Sequence, residues 1–209
     1  AVIQPLREYF GRQDAWLILT FILLYKLGDT MASAMTTPFY LDIGFSKTEI
    51  GTVVKLFGFW ATIAGGLLGG LLMLSLRIYR SLWIFGILQA LSTAGFALLA
   101  RLGYTLAGLA GVIAFENLTS GMGTAAYVAF MASLANKKFT ATQYALLSGL
   151  MGVPRVLAAA PTGFLAEILG WTGFFILCTF IALPGLLLLR RFAHLQLEGP
   201  QRKSALESA

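Results

Sequence analysis

Lys26, Asp29, Lys55, Glu116 and Arg155 each lie inside a stretch that otherwise reads as membrane-spanning. A charge at the bilayer centre costs roughly 2.5–3.5 kcal/mol even on insertion scales, so it is rarely carried without a partner or a task. Three bases and two acids spread over four spans predict a polar path through a membrane. Lys26 and Asp29 are three residues apart and share one helix face, which allows a local ion pair that eases insertion. Glu116 has no base within a helical turn. Its carboxylate must find a base on another helix or stay neutral. A carboxyl that alternates between those two states is what a proton-coupled transporter needs. Arg155, deep in its span and preceded by Pro154, has the geometry to clamp a substrate carboxylate bidentately or to hold Glu116. Lys55, toward the outer end of its span, is open to snorkelling as well as to a substrate role.

The elements that carry these residues follow from composition and run length. Apolar residues make up 58% of the 209, charged residues 11%, and mean hydropathy is +0.80. A soluble domain has about 25% charged residues, so this chain reads as an all-α integral membrane protein. Six spans are predicted at 15–38, 48–74, 81–101, 104–134, 142–168 and 171–192, after a cytoplasmic linker at 1–14 and before a cytoplasmic tail at 193–209. The continuous apolar runs disfavour a β-barrel. Trp16, Trp83 and Trp171 stand near span starts, where indole favours the interface. Trp60 does not, and is expected to pack against a neighbour.

Orientation follows from the remaining bases. Arg7, Arg12, Arg77, Arg80, Lys137, Lys138, Arg190, Arg191, Arg202 and Lys203 fall on one side, against Lys47 and Arg101 on the other. The positive-inside rule therefore predicts both termini in the cytoplasm. It also accounts for most of the net charge of +6 without a nucleic-acid partner. Spans one to three and four to six enter from opposite sides, each with an acid on its first helix and a base on its second. Inverted triplets of this kind build each six-helix half of major facilitator transporters. At 1.5 Å per residue, Asp29 lies about 5 Å outward of Lys26 and at a depth similar to Glu116.

Small residues bear on packing and bending. Ala61, Gly65 and Gly69 form one stripe and Gly66 with Gly70 another, both expected at close helix contacts. Gly121 and Gly123, with Pro154 and Pro161, are expected to interrupt regular helix and permit bends. Cys178 stands alone, which excludes an internal disulfide and a cysteine metal site. His194, beyond the last span, reads as a solvated tail residue. No membrane-embedded histidine and no Gly-x-Ser-Gly are present, so an intramembrane serine protease is not supported. No catalytic residue, metal or cofactor is expected. The chain lacks an initiator Met and a signal-peptide pattern, and reads as a piece of a longer polypeptide.

YKLGD at Tyr25–Asp29, FENLTSGMGTAAYVA at Phe115–Ala129, NKKFTATQYALLSGL at Asn136–Leu150 and PLREYFGRQDAWLIL at Pro5–Leu19 together resemble the AmpG family of muropeptide permeases. The likeness covers nearly the whole chain in order. It implies the C-terminal six-helix half, spans seven to twelve, of a twelve-helix major facilitator protein whose N-terminal half is missing here. It further implies proton-driven import of N-acetylglucosaminyl-1,6-anhydro-N-acetylmuramyl peptides across the bacterial inner membrane. That import serves peptidoglycan recycling and sets the signal for β-lactamase induction, a route to antibiotic resistance. Lys26, Gly28 and Asp29 carry over through YKLGD, and Glu116 and Asn117 through FENL. On this reading Asp29 and Glu116 couple protons, while Lys26, Asn117, Arg155 and Lys55 meet substrate. Alternative readings are a transporter of another anionic metabolite such as acetyl-CoA, or a non-transporting membrane receptor.

Overall fold

The computed structural model describes residues 15–134, 149 and 152–207, with side chains described over 16–133, at 149 and over 156–191. The predicted linker 1–14, the stretch 135–148 with Lys137 and Lys138, and the side chains of Pro154, Arg155 and His194 lie outside these residues. Every regular element among the described residues is helical. They are α1 (Ala15–Tyr25), α2 (Leu27–Ile43), α3 (Lys47–Val53), a π-helical turn (Val54–Gly58), α4 (Phe59–Ser75), α5 (Ile78–Leu102), α6 (Leu106–Leu134), α7 (Gly152–Ala159) and α8 (Thr162–Glu207).

Four stretches among the described residues are long and apolar enough to cross a membrane: Trp16–Ile43, Lys47–Ser75, Ile78–Leu102 and Thr162–Arg191. The predicted fourth span corresponds to α6, which is long enough at 29 residues but is not among the four. Glu116, Asn117, Thr119 and Ser120 dilute its hydropathy. The first span is not one helix. It breaks at Lys26, whose φ of −103° and ψ of 1° leave the helical region, and its second part continues to Ile43. At the far end of the chain α8 contains Gly170 with φ 64° and ψ 168°, the left-handed φ that glycine adopts without strain. This break falls between the ends predicted for spans five and six. Pro161 lies in the turn just before α8, where the ring limits helix continuation.

The turn from α2 to α3 is written locally. Gly44, at φ 107°, ends α2 while its N–H and that of Phe45 bond to the carbonyls of Leu41 and Tyr40. Ser46 then caps α3 in a reciprocal box with Glu49, at 3.2 Å and 2.8 Å. At the same end Phe45 stacks on Tyr104 at 4.6 Å, Tyr104 donates to Glu49, and the Trp171 indole N–H donates to Asp42.

Helix contact in a membrane relies on close packing rather than on expulsion of water. The small residues therefore decide which helices meet. A Cβ on Gly65 would collide with the Leu118 carbonyl, and one on Gly69 would stand 2.8 Å from the Met122 Cα. One on Gly121 would stand 2.5 Å from the Thr62 carbonyl oxygen, so α4 and α6 lie backbone to backbone. Gly66 and Gly70, by contrast, have nothing within 4 Å of such a Cβ: the Gly66 backbone nitrogen lies 2.9 Å from where a Gly121 Cβ would stand, but the second predicted stripe has room for a side chain among the described residues. Gly121 and Gly123 do not interrupt α6, which is helical throughout; they let neighbours approach it. Trp60 is 64% exposed and meets the adjacent Phe59 edge-on, contrary to the expected packing against a neighbour.

Packed side chains gather into two clusters. One holds Phe21, Ile22, Tyr25, Phe85, Tyr127 and Phe130. The other holds Phe39, Phe45, Phe96, Ile113, Phe174 and Phe175. On α5 the residues between the clusters are Gln89, Ser92 and Thr93; on α6 they are Glu116 and Thr119; on the α1–α2 junction they are Lys26 and Asp29. A polar layer is thus sandwiched between two apolar ones.

A buried polar layer as the candidate functional site

Each side chain of the layer is placed by its own helix. Gln89, Ser92 and Thr93 fall at i, i+3 and i+4 on α5, and Glu116 and Thr119 at i and i+3 on α6, so each set shares one face. Lys26 reaches the layer because the break between α1 and α2 turns it inward. Gly28 lets α2 press against α8, since a Cβ there would collide with the Cys178 carbonyl. Gly123 opens space for Gln89, whose Oε1 lies 2.8 Å from where its Cβ would stand.

The Lys26 ammonium donates to Asp29 Oδ2 at 3.3 Å and to Gln89 Oε1 at 3.1 Å, with the two ionic side chains only 14% and 15% exposed. Glu116 is 8% exposed; the Ser92 hydroxyl donates to it, and its carboxyl lies within electrostatic reach of Asp29 and Lys26. The base that approaches Glu116 thus comes from another helix; the Ser92 hydroxyl donates to the carboxyl, and the Asp29 carboxyl stands within hydrogen-bonding reach of it. Ser92 Oγ also lies 2.8 Å from the Gln89 carbonyl and 3.0 Å from Thr119 Oγ1. Asp29 Oδ1 and Gln89 Nε2 are buried without a hydrogen-bond partner among the described residues. Beside them is a cavity of about 10 Å³ lined by Tyr25, Asp29, Gln89, Thr93 and Ala182. That is near the minimum that holds one water.

Two larger openings reach the layer. One, about 420 Å³, is lined by Asp29, Thr30, Ser33, Ala34 and Ala159. The other, about 260 Å³, is lined by Ser33, Thr37, Tyr40, Glu116, Asn117 and Ser120, among others. Asn117 accepts from Thr62 on α4 at 3.0 Å and donates to the Ile113 carbonyl at 2.8 Å. Arg155 is on α7, one turn before Ala159. Lys55 stands exposed on the π-helical turn, away from this cluster. The structure therefore brings Lys26, Asp29, Glu116 and Asn117 to one region and leaves Lys55 outside it.

Sequence reasoning missed Gln89, Ser92, Thr93 and Thr119. The available signal was their spacing: three polar side chains on one face of an otherwise apolar helix have no reason to face lipid.

Helices long enough to cross a membrane thus hold a buried ionic layer that two openings reach. Over 190 residues the chain is 48% identical to the anhydromuropeptide permease of Escherichia coli K12, covering 90% of this chain and 39% of that protein. It is 41% identical over 187 residues to AmpG 1 of Rickettsia prowazekii and 39% identical over 189 residues to AmpG 4 of Rickettsia felis. The chain belongs to the AmpG family. No family model matches it. It covers 42% and 46% of the two rickettsial proteins, so it spans less than half the length of each of these three relatives. By their printed names the Escherichia coli relative is a permease and the two rickettsial relatives are putative transporters.

Proposed function

We propose that this AmpG-family chain is the C-terminal six-helix half of a proton-coupled importer of anhydromuropeptides in the inner membrane. Its six spans form two inverted three-helix repeats, with both termini cytoplasmic and the N-terminal half as its partner. The observation that carries the coupling is the buried layer in which Asp29 and Glu116 share a single described base, Lys26. Two carboxyls and one ammonium are neutral together only when one carboxyl holds a proton. In a low-dielectric layer that neutrality is strongly favoured. A cargo carboxylate arriving beside Lys26 competes with Asp29 for it, and proton uptake by a carboxyl restores the balance. Release of cargo and proton on the other side resets the layer. Asn117, at the wall of the opening that reaches Glu116, offers amide contacts to cargo, and Arg155 on α7 offers a second cation for its carboxylates.

The printed name of the Escherichia coli relative supports the cargo. The decisive measurement is uptake of labelled anhydromuropeptide by the complete transporter in membrane vesicles under an imposed proton gradient. Glu116→Gln and Asp29→Asn are each expected to lower uptake at least tenfold while leaving the protein folded. Uptake unchanged in both removes the coupling role. Retained uptake of an unrelated anionic metabolite with none of the muropeptide would replace the cargo.

A further inference from the structure

Ser92 has one proton to donate and three oxygen atoms around it: the Glu116 carboxyl, the Gln89 carbonyl at 2.8 Å and Thr119 Oγ1 at 3.0 Å. Thr119 likewise has one proton and two acceptors, Ser92 Oγ and the Glu116 backbone carbonyl, each at 3.0 Å. Both side chains are buried, at 1% exposure, so no bulk water substitutes for a missing bond. These counts do not fix one pattern. They fit two, and the two differ by the protonation state of Glu116.

With Glu116 ionised, Ser92 donates to the carboxylate and Thr119 donates to Ser92 Oγ. Meanwhile the Gln89 carbonyl keeps the hydroxyl of Thr93, at 3.1 Å. With Glu116 protonated, the acid donates to Ser92 Oγ, Ser92 turns its own proton to the Gln89 carbonyl, and Thr119 turns to the Glu116 backbone carbonyl. Every hydroxyl proton has an acceptor in both patterns. The change needs two hydroxyl rotations and no movement of a heavy atom.

We infer that Ser92 is the positioning residue of Glu116: a hydroxyl that reverses its hydrogen bond so the carboxyl can gain and lose a proton in place. This rests on the reading of Glu116 as the titrating group. The proton itself comes from and returns to the opening that Glu116 lines, along the wall formed by Thr37, Tyr40 and Ser120. The charged and titratable groups facing Glu116 from the packed elements are Asp29 and Tyr40 on α2 and Lys26 at the α1–α2 junction. All three stay fixed in the variants below.

A hydroxyl bond to an ionised group is stronger than one to a neutral group. Removing Ser92 Oγ therefore penalises the carboxylate more than the acid. The test is infrared titration of the complete transporter in proteoliposomes, following the carboxylic-acid C=O band that disappears in Glu116→Gln. Ser92→Ala is expected to raise the midpoint of that band by about one pH unit. Ser92→Cys, nearly isosteric with a weak donor, is expected to move it part of the way and guards against a packing defect. Thr119→Val removes a hydroxyl that is used in both patterns, and is expected to leave the midpoint within about 0.3 unit. An unmoved midpoint in folded Ser92→Ala and Ser92→Cys protein overturns the assignment, as does an equal shift in Thr119→Val. The infrared readout requires no transport, so loss of the muropeptide reading by the uptake measurement leaves this test standing.

Discussion

Glu116 and Ser92 show what a single side chain decides here. A carboxyl at 8% exposure can exist in either form only if its surroundings can bond to both, and a rotatable hydroxyl is the smallest group that does so. Lys26 sits under a different constraint, bonded to both Asp29 and Gln89. Gln89→Leu removes one acceptor from a buried ammonium, which should cost about 1–3 kcal/mol and lower the thermal midpoint in detergent. Gln89→Glu instead supplies a third carboxyl around one ammonium and should shift the uptake optimum by changing the proton count of the layer. A pH–uptake profile of Gln89→Glu that overlays the native one would separate Gln89 from the coupling group. The charged members of this site were legible in the sequence because burying a charge is expensive wherever it occurs. Ser92, Thr93 and Thr119 were not, because a lone hydroxyl can bond its own helix at i−3 or i−4 and cross a membrane at little cost. Only their convergence in space shows that Ser92 does more.

At the scale of elements, small residues rather than large ones set the arrangement. The α4–α6 contact depends on Gly65, Gly69 and Gly121 admitting a neighbouring backbone. Gly65→Val should force these helices apart and lower stability by about 1–3 kcal/mol, and Asn117 should then lose its bond to Thr62. Gly66→Ala and Gly70→Ala, in the second stripe one residue further along the helix, should leave the melting temperature of this chain within about a degree or raise it slightly. Thermal unfolding of the three variants in detergent checks the contrast. If Gly65→Val and Gly66→Ala destabilised equally, spacing rather than contact would be the determinant. Two stripes with the same spacing looked equivalent in the sequence, because a pattern of small residues names a helix face without naming its partner. The break at Lys26 was equally hidden. No proline or glycine precedes it, and the polar bonds of Lys26 with Asp29 and Gln89 accompany the departure from helix.

For the molecule as a whole, the apolar runs stated the class and the bases give an expected orientation, while the arrangement of layers emerges only in three dimensions. The proposed topology puts the α4–α5 turn in the cytoplasm and the α5–α6 turn outside. Arg77 and Thr105, both exposed, mark these turns, and Cys178 is fully buried and gives little background labelling. Arg77→Cys should therefore react with an impermeant maleimide only after the cytoplasmic face is opened, and Thr105→Cys should react from outside. The reverse pattern would invert the topology. The polar layer has an electrical consequence as well. Glu116 is 8% exposed within a membrane-length helix, and a proton bound there sits part-way down the membrane voltage. Glu116 stands about 15 Å into α6, and a full crossing is worth about 2.3 kcal/mol per 100 mV, so its proton feels roughly 1 kcal/mol of that drop. An inside-negative potential then makes the site easier to protonate from outside by about 0.7 of a pH unit per 100 mV. The layer works as a voltage divider, and membrane potential alone should drive part of the coupling at equal pH on both sides.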